Sequence, residues 1–284
     1  MTTTTELDVT VGNRSVHAWD SGAGSALTLV WHHGSPQTGA PLEPVARWAA
    51  ERDIRLVTYG RPSYGGSTPQ PGRTIGDAAR DVAAVLDALD IDRFATMGAS
   101  GGGPHALACG ALLPERVIGV VCLAGIAPYS TDFDWFGGMA SPEDVRSALE
   151  GRDARAARVP LSEWNSENFN AGDYASLEQT WGSLGADVAR ADEAGPDGLI
   201  DDDVAIVTPW GFDLGTVTVP TLLAQGGDDR VVPRAHAEWM LGQLPNAELW
   251  LRPRDGHIGV MNAAPVAMDW LLSVATSAAS SATP

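Results

Sequence analysis

Residues 98–105 read Gly-Ala-Ser-Gly-Gly-Gly-Pro-His, with one serine set among four glycines. The stretch has too few apolar side chains to contribute to a core, so what it specifies is a backbone conformation. Its first five residues match Gly-x-Ser-x-Gly, and the apolar residues 94–97 before it are typical of a buried strand. A helical pattern follows from about Gly101. The sequence therefore predicts a serine on a tight strand-to-helix turn.

Such a turn exposes the hydroxyl of Ser100 and strains its backbone. Glycines at 98 and 102 leave room where a side chain would strike the neighbouring strand or helix. The helix N-terminus supplies free N–H groups and a partial positive charge near the hydroxyl. The alternative, a glycine-rich phosphate loop, fits poorly, because Gly-x-Gly-x-x-Gly is not satisfied and the turn follows a middle strand.

Short apolar runs and helical patterns alternate along the rest of the chain. An opening hairpin is predicted around Gly12-Asn13, from residues 7–11 and 15–19. Further buried strands are predicted at 27–31, 54–59, 94–97, 117–123, 221–224 and 248–251. Core helices are predicted at 41–50, 75–89, 105–113, 234–244 and 264–275. Strands that alternate with crossover helices form a mostly parallel sheet, so we predict a doubly wound α/β fold with eight strands.

The strand pattern is interrupted over residues 128–213, where only helices are predicted. One starts at Ser141-Pro142, a second covers 173–194 with a kink at Gly182 or Gly185, and a third covers 201–207. We predict that residues 128–213 form a helical cap inserted into a core domain of residues 1–127 and 214–284. The cap would lie over the carboxyl edge of the sheet, where open α/β sheets bind ligands.

Composition excludes several classes of function. The formal net charge of −18 argues against binding of nucleic acid or anionic membranes, which are themselves polyanions. All 18 basic residues are arginine, so a Schiff-base lysine, a Walker-type phosphate loop and a Ser-x-x-Lys site are excluded. Cys109 and Cys122 lie in apolar segments and are predicted to be buried free thiols. No metal and no cofactor are predicted.

Three further expectations concern location and assembly. The N-terminal segment has no basic and apolar regions of a signal peptide, and the longest apolar run, 117–127, is about half a membrane span. We therefore predict a cytoplasmic protein without membrane insertion, whose partner is a small-molecule substrate. The polar C-terminal residues 276–284 are predicted to be disordered. The oligomeric state is not specified by the sequence.

A serine hydroxyl becomes a good nucleophile when a base accepts its proton and a third group orients that base. Of six histidines, His257 is the one that follows the last predicted strand, in a loop returning to the carboxyl edge. The end of the preceding strand offers Asp229, with Asp228 as the alternative acid. The resulting order is Ser100, Asp229, His257.

These motifs resemble the α/β-hydrolase fold superfamily over nearly the full chain. Residues 226–233 match the family's Gly-x-x-Asp-x-x-hydrophobic-Pro segment, with Asp229 as the acid. His33-Gly34-Ser35 resembles the His-Gly turn after the third strand. The resemblance implies that the backbone N–H groups of Ser35 and Gly101 form the oxyanion hole. The loop after the fourth strand departs from the family pattern, with Gly60 where many members have aspartate.

The resemblance implies hydrolysis of carboxylic esters of small apolar molecules through an acyl-serine. Lactone, amide or carbon–carbon bond hydrolysis and perhydrolysis use the same machinery and stay open, as does a ligand-binding receptor on this fold. The predicted substrate contacts are His33, Trp135, Trp164, Trp181 and Trp210. The acidic run 197–203 is predicted to be a solvated outer face of the cap, since adjacent carboxylates are hardly buried unpaired. An apolar inner face would then favour neutral over anionic esters.

Overall fold

A computed structural model describes residues 4–22 and 24–281 of the chain, with side chains up to residue 278. The strands are β1 (Thr5–Val11), β2 (Arg14–Asp20), β3 (Leu27–His32), β4 (Ile54–Tyr59), β5 (Phe94–Ala99), β6 (Val117–Leu123), β7 (Thr221–Gly226) and β8 (Ala247–Arg252). They form one sheet in the order β1-β2-β4-β3-β5-β6-β7-β8. Strands β3 to β8 are parallel to one another, and β2 is antiparallel to both of its neighbours, β1 and β4. The predicted eight-stranded, mostly parallel sheet is confirmed.

The inner strands are apolar on both faces because helices cover both. The core helices are α1 (Glu43–Ala50), α2 (Asp77–Ala88), α3 (Gly103–Leu112), α9 (Ala235–Gln243) and α10 (Ala264–Ser281). One face of the sheet packs with α2, α3 and α9 in one hydrophobic cluster, and the other packs with α1 and α10 in a second. Adjacent residues of a strand point to opposite faces, so Val120 belongs to the first cluster and Val121 to the second. Both faces of the sheet are thus removed from water.

Five α-helices and short 3₁₀ turns lie between β6 and β7. The α-helices are α4 (Glu143–Ser147), α5 (Arg152–Arg158), α6 (Ala171–Gln179), α7 (Gly182–Glu193) and α8 (Asp197–Val207). The helix predicted over 173–194 is two helices, which separate at Thr180 and Trp181, just before the suggested kink at Gly182. We call residues 128–213 the cap segment; its limits as a separate domain stay a prediction.

The C-terminal helix is longer than predicted. Helix α10 continues through residues 276–281, so the expectation of disorder was wrong there, and residues 282–284 lie outside the described residues. Ala267, Met268 and Leu271 anchor the helix in the core. Each residue added to an anchored helix adds one backbone hydrogen bond, and alanine has the highest helix propensity of all residues. In the described part of the chain, none of the helices has the length and apolar character to span a membrane.

Candidate active site

Ser100 lies on the turn between β5 and α3. Its φ angle is 53°, in the left-handed region that non-glycine residues rarely occupy. A side chain at Gly98 would collide with the carbonyl oxygen of Gly102, and one at Gly102 with that of His32. The two glycines of the motif therefore allow the close backbone approach that holds Ser100 in this strained conformation.

Ser100, His257 and Asp229 form one chain of hydrogen bonds. The Ser100 hydroxyl donates to Nε2 of His257 over 3.0 Å, and Nδ1–H of His257 donates to Oδ2 of Asp229 over 2.8 Å. Asp229 Oδ1 accepts the backbone N–H groups of Val231 and Val232 at 2.9 and 2.8 Å, which fixes the carboxylate. Asp228 is exposed, whereas Asp229 is buried. The tautomer of His257 with its proton on Nδ1 is assigned from these two hydrogen bonds of the ring.

The carboxylate sets the basicity of His257. Burial by itself lowers the pKa of this imidazole, but the charge of Asp229, its hydrogen bond and the charge of Asp173 raise the pKa above the usual 6.5. A raised pKa makes the ring a better proton acceptor and stabilises the imidazolium that forms when it takes the serine proton.

The other buried histidines have structural contacts. Burial lowers the pKa of His32 to about 3 and that of His236 to about 4, and keeps the pKa values of His33 and His105 well below 6.5. His105 donates from Nδ1 to the carbonyl of Gly101, one turn earlier in the helix. These rings are neutral, and each makes a hydrogen bond that holds a neighbouring segment.

Ser35 and Gly101 lie side by side next to the nucleophile. A Cβ at Gly101 would lie 2.5 Å from Oγ of Ser35, and both residues line the same cavity as Ser100. Their two backbone N–H groups are the candidate donors to a developing oxyanion; that role stays a prediction.

A buried ion pair fixes the loop that carries Ser35. Asp202 of α8 is fully buried and accepts from Arg61 at 2.7 and 3.1 Å, from Arg73 at 2.5 Å, from Tyr64 at 3.0 Å and from Ser35 Oγ at 2.5 Å. Arg61 also donates to the carbonyl oxygens of residues 33 and 34. The cap segment thus holds the candidate oxyanion loop directly. The two arginines keep the pKa of Asp202 well below 3.8, although burial opposes this.

Two further cap carboxylates hold core loops. Asp173 of α6 accepts the N–H groups of Ile258 and Gly259 at 2.9 and 2.7 Å, directly after His257. Asp187 of α7 accepts from the backbone N–H and hydroxyl of Thr38 at 3.1 and 2.5 Å. Sequence reasoning missed Asp173, Asp187 and Asp202. Their spacing in the sequence gives no signal of these contacts, because each of the core groups they hold lies at least 85 residues away.

We expect Asp202→Ala to lower the free energy of unfolding by about 3–5 kcal/mol, because it leaves buried guanidinium groups without their counterion. Since the pKa of Asp202 is held below 3.8, its contribution is present above that pH and is lost as pH falls further. Urea unfolding at pH 7 measures the loss. The matched control is Asp197→Ala on the same helix, whose carboxylate is 66% exposed and whose removal should change stability by less than about 1 kcal/mol. Equal losses in the two variants would contradict the assignment.

The nucleophile opens onto a cavity of about 390 Å³ between the sheet edge and the cap segment. Its apolar lining includes Ile126, Met139, Val145, Leu199, Ile206 and Val232. Its charged lining comprises Asp144, Arg155, Glu163, Asp203 and Arg230. The cavity is therefore mixed in polarity, unlike the apolar site expected from the sequence. Among the described residues, no group of three or more His, Cys, Asp or Glu side chains is placed to hold a metal.

Of the predicted substrate contacts, Trp164 lines this cavity and is 71% exposed. The other three tryptophans are buried elsewhere, and each indole N–H has a protein partner: Ala127 and Pro128 for Trp135, Asn262 for Trp181 and Ile206 for Trp210. His33 is not among the cavity residues either, because its ring bonds to Gly34 and to the backbone of Arg61. We keep the substrate-contact hypothesis for Trp164 alone.

The expectation that residues 197–203 form a solvated outer face was wrong. Asp201 and Asp202 are buried, and Asp203 is half-buried beside the cavity. Arg152 donates to Asp201 over 2.8 Å and Arg155 to Asp203 over 2.6 Å, so the carboxylates are paired rather than solvated. Charges of opposite sign and direct hydrogen bonds make such burial tolerable.

Comparison with known proteins agrees with this architecture. A 2-hydroxy-6-oxononadienedioate/2-hydroxy-6-oxononatrienedioate hydrolase from Cupriavidus pinatubonensis is 29% identical, over 85% of this chain and 84% of its own. A non-heme chloroperoxidase from Streptomyces lividans is 27% identical, over 77% of this chain and 80% of its own. The solved structure of a thermophilic esterase from Thermogutta terrifontis superposes with a TM-score of 0.71 at 19% identity, covering 95% of this chain and 99% of that one. That likeness shows the fold alone.

Residues 28–264 match the sequence model of the alpha/beta hydrolase fold. The match begins in β3 and extends to the start of α10, so it includes the turn at Ser100 and the loops of Asp229 and His257. The predicted resemblance is confirmed, and the chain belongs to the α/β-hydrolase fold family.

Proposed function

We propose that this protein is a serine hydrolase that cleaves carboxylic ester bonds of small molecules through an acyl-serine intermediate. The observation that carries the proposal is the hydrogen-bonded chain of Ser100, His257 and Asp229, whose serine lines a cavity of about 390 Å³. That volume lies within the range of small-molecule sites. Relatives that include hydrolases support the general class.

In the first step His257 Nε2 takes the hydroxyl proton of Ser100, and Oγ attacks the ester carbonyl carbon. The carbonyl π electrons move onto its oxygen, which becomes an oxyanion facing the N–H groups of Ser35 and Gly101. Asp229 stabilises the imidazolium and keeps Nε2 directed at the serine. The proton is transferred over a hydrogen bond that already exists, at 3.0 Å.

In the second step the oxyanion collapses and the bond to the leaving alkoxy oxygen breaks. His257 returns its proton to that oxygen, so an alcohol leaves and Ser100 stays acylated. A water molecule then gives one proton to His257, and its oxygen attacks the acyl carbon. Breakdown of this second tetrahedral intermediate returns the proton to Oγ of Ser100 and releases the carboxylic acid.

The test is turnover of an activated neutral ester, 4-nitrophenyl butyrate, together with the mass of the quenched protein. We expect a kcat within about 1–1,000 per second and one butyryl group on the peptide that contains Ser100. Turnover without an adduct at Ser100, or an adduct on another residue, would contradict the mechanism. A rate indistinguishable from that of His257→Ala would contradict enzymatic ester hydrolysis and would favour a ligand-binding receptor on this fold.

A further inference from the structure

Arg155 is a buried, charged residue of the cavity to which the proposed mechanism assigns no role. It lies on α5 in the cap segment, its side chain is 3% exposed, and it lines the same cavity as Ser100. Nε donates to Oδ2 of Asp203 over 2.6 Å. Nη1 is buried and has no hydrogen-bond partner among the residues the structure describes.

An unpaired buried N–H of a guanidinium is unfavourable, so natural proteins rarely leave one without a reason. Arg61 is equally buried, and each of its side-chain nitrogens donates to an oxygen. Arg73 also has an unpaired Nε, but it lines a space of only about 10 Å³, enough for no more than a single water molecule. Of these three arginines, Arg155 is the one that lines a substrate-sized cavity. Its unpaired Nη1 is closed to water, so a ligand in the cavity would reach this atom only with a small shift of the side chain.

The ionic contacts of Arg155 leave part of its hydrogen-bonding capacity unused. Asp144 is bound to Arg158 at 2.8 Å, which leaves Asp203 as the counterion of Arg155 through a single hydrogen bond. Burial raises the pKa of Asp203 to about 6, so this counterion is still ionised near pH 7 and loses its charge at lower pH. Arg230 adds positive charge on the cavity wall, and Glu163 on the same wall balances it. The planar fork of a guanidinium matches the two oxygens of a carboxylate, as it does those of a phosphate.

We propose that Arg155 binds a carboxylate of the substrate, so that the esters cleaved at Ser100 carry a free carboxylate. The inference rests on the proposed function and names its substrate class. It reverses the preference for neutral esters that the acidic sequence of the cap suggested. The carboxylate belongs to either the acyl or the alcohol part of the ester, and two pairs of substrates distinguish these positions.

The experiment compares each anionic ester with a neutral isostere in which an isopropyl group replaces the carboxylate. Monomethyl glutarate and methyl 5-methylhexanoate test the acyl side; 4-acetoxybutanoate and 4-methylpentyl acetate test the alcohol side. In one of the two pairs we expect kcat/KM of the wild-type protein to be at least about 10-fold higher for the anionic ester, as a charged hydrogen bond would give.

The key variant is Arg155→Met, which should lower kcat/KM for that anionic ester about 10- to 100-fold, mainly through KM, and for the neutral ester less than about threefold. Arg155→Lys keeps the charge without the planar fork and should retain part of the preference. The double variant Arg155→Met/Asp203→Asn removes both charges of this ion pair. A loss of preference for the anionic ester in this variant is therefore not caused by an unpaired Asp203 carboxylate. Arg152→Met is the control, because Arg152 lies on the same helix, pairs with Asp197 and Asp201, and does not line the cavity.

Equal kcat/KM values for anionic and neutral esters, or equal losses for both in Arg155→Met, would overturn the inference and leave the proposed function intact. If no ester of either pair is hydrolysed and 4-nitrophenyl butyrate leaves no adduct on Ser100, the proposed function fails, and the inference fails with it. A preference for the anionic ester that disappears in Arg155→Met and persists in Arg152→Met supports both.

Discussion

Ser100→Ala is expected to lower kcat roughly 10⁴- to 10⁶-fold, because among the described residues Ser100 carries the hydroxyl that is hydrogen-bonded to His257. Nε2 of His257 has Oγ of Ser100 as its partner at 3.0 Å, so the variant loses nucleophile and proton donor together. A rate roughly 10³-fold above that in water should survive if the backbone N–H groups still bind the oxyanion. The measurement is kcat for 4-nitrophenyl butyrate, with labelling by a fluorophosphonate.

Ser141→Ala is the matched control, since Ser141 lines the same cavity and its hydroxyl accepts from Asn165 instead of facing a histidine. We expect less than about a tenfold change in kcat for this variant. In the wild-type protein the fluorophosphonate should add one mass, on the peptide containing Ser100. Undiminished activity in Ser100→Ala, or labelling of Ser141 in its place, would refute the assignment of the nucleophile.

Asp229→Asn is the second change with a large expected effect, about 10⁴-fold in kcat. The amide removes the charge that stabilises the imidazolium, and it can impose the wrong tautomer on His257 by donating to Nδ1.

The pH profile of kcat/KM should change in Asp229→Asn as well. His257 must be neutral to accept the serine proton, so kcat/KM falls as pH drops through its pKa, which the Asp229 charge holds above 6.5. Without that charge, burial dominates and the acidic limb should move below pH 6.5.

Asp228→Asn provides the comparison for this experiment, because the neighbouring side chain is exposed and makes none of the contacts of Asp229. We expect a small change in kcat and an unmoved acidic limb. Equal loss of activity in the two variants would leave the acid unassigned. A limb that stays above pH 6.5 in Asp229→Asn would show that another group sets the basicity of His257.

The sequence by itself determined the fold and the residues of the candidate triad. Buried strands appear as short apolar runs, because parallel strands covered on both faces need apolar side chains at every position. The turn at Ser100 is equally local, since Gly98 and Gly102 are needed wherever backbones approach so closely. The order of Ser100, Asp229 and His257 follows from strand ends that a parallel sheet brings to one edge.

Only the tertiary structure decided the role of the cap segment. The acidic run 197–203 was predicted to be solvated, because a carboxylate is buried only when it has a partner. Nothing in the sequence marks Arg61 as the partner of Asp202, which lies 141 residues away. The same is true of Arg155 and Asp203, 48 residues apart, and of the tryptophans, whose apolar rings suit a core and a pocket equally well. Helical periodicity specifies that a helix has a buried face, but which groups meet that face depends on how the cap packs on the sheet.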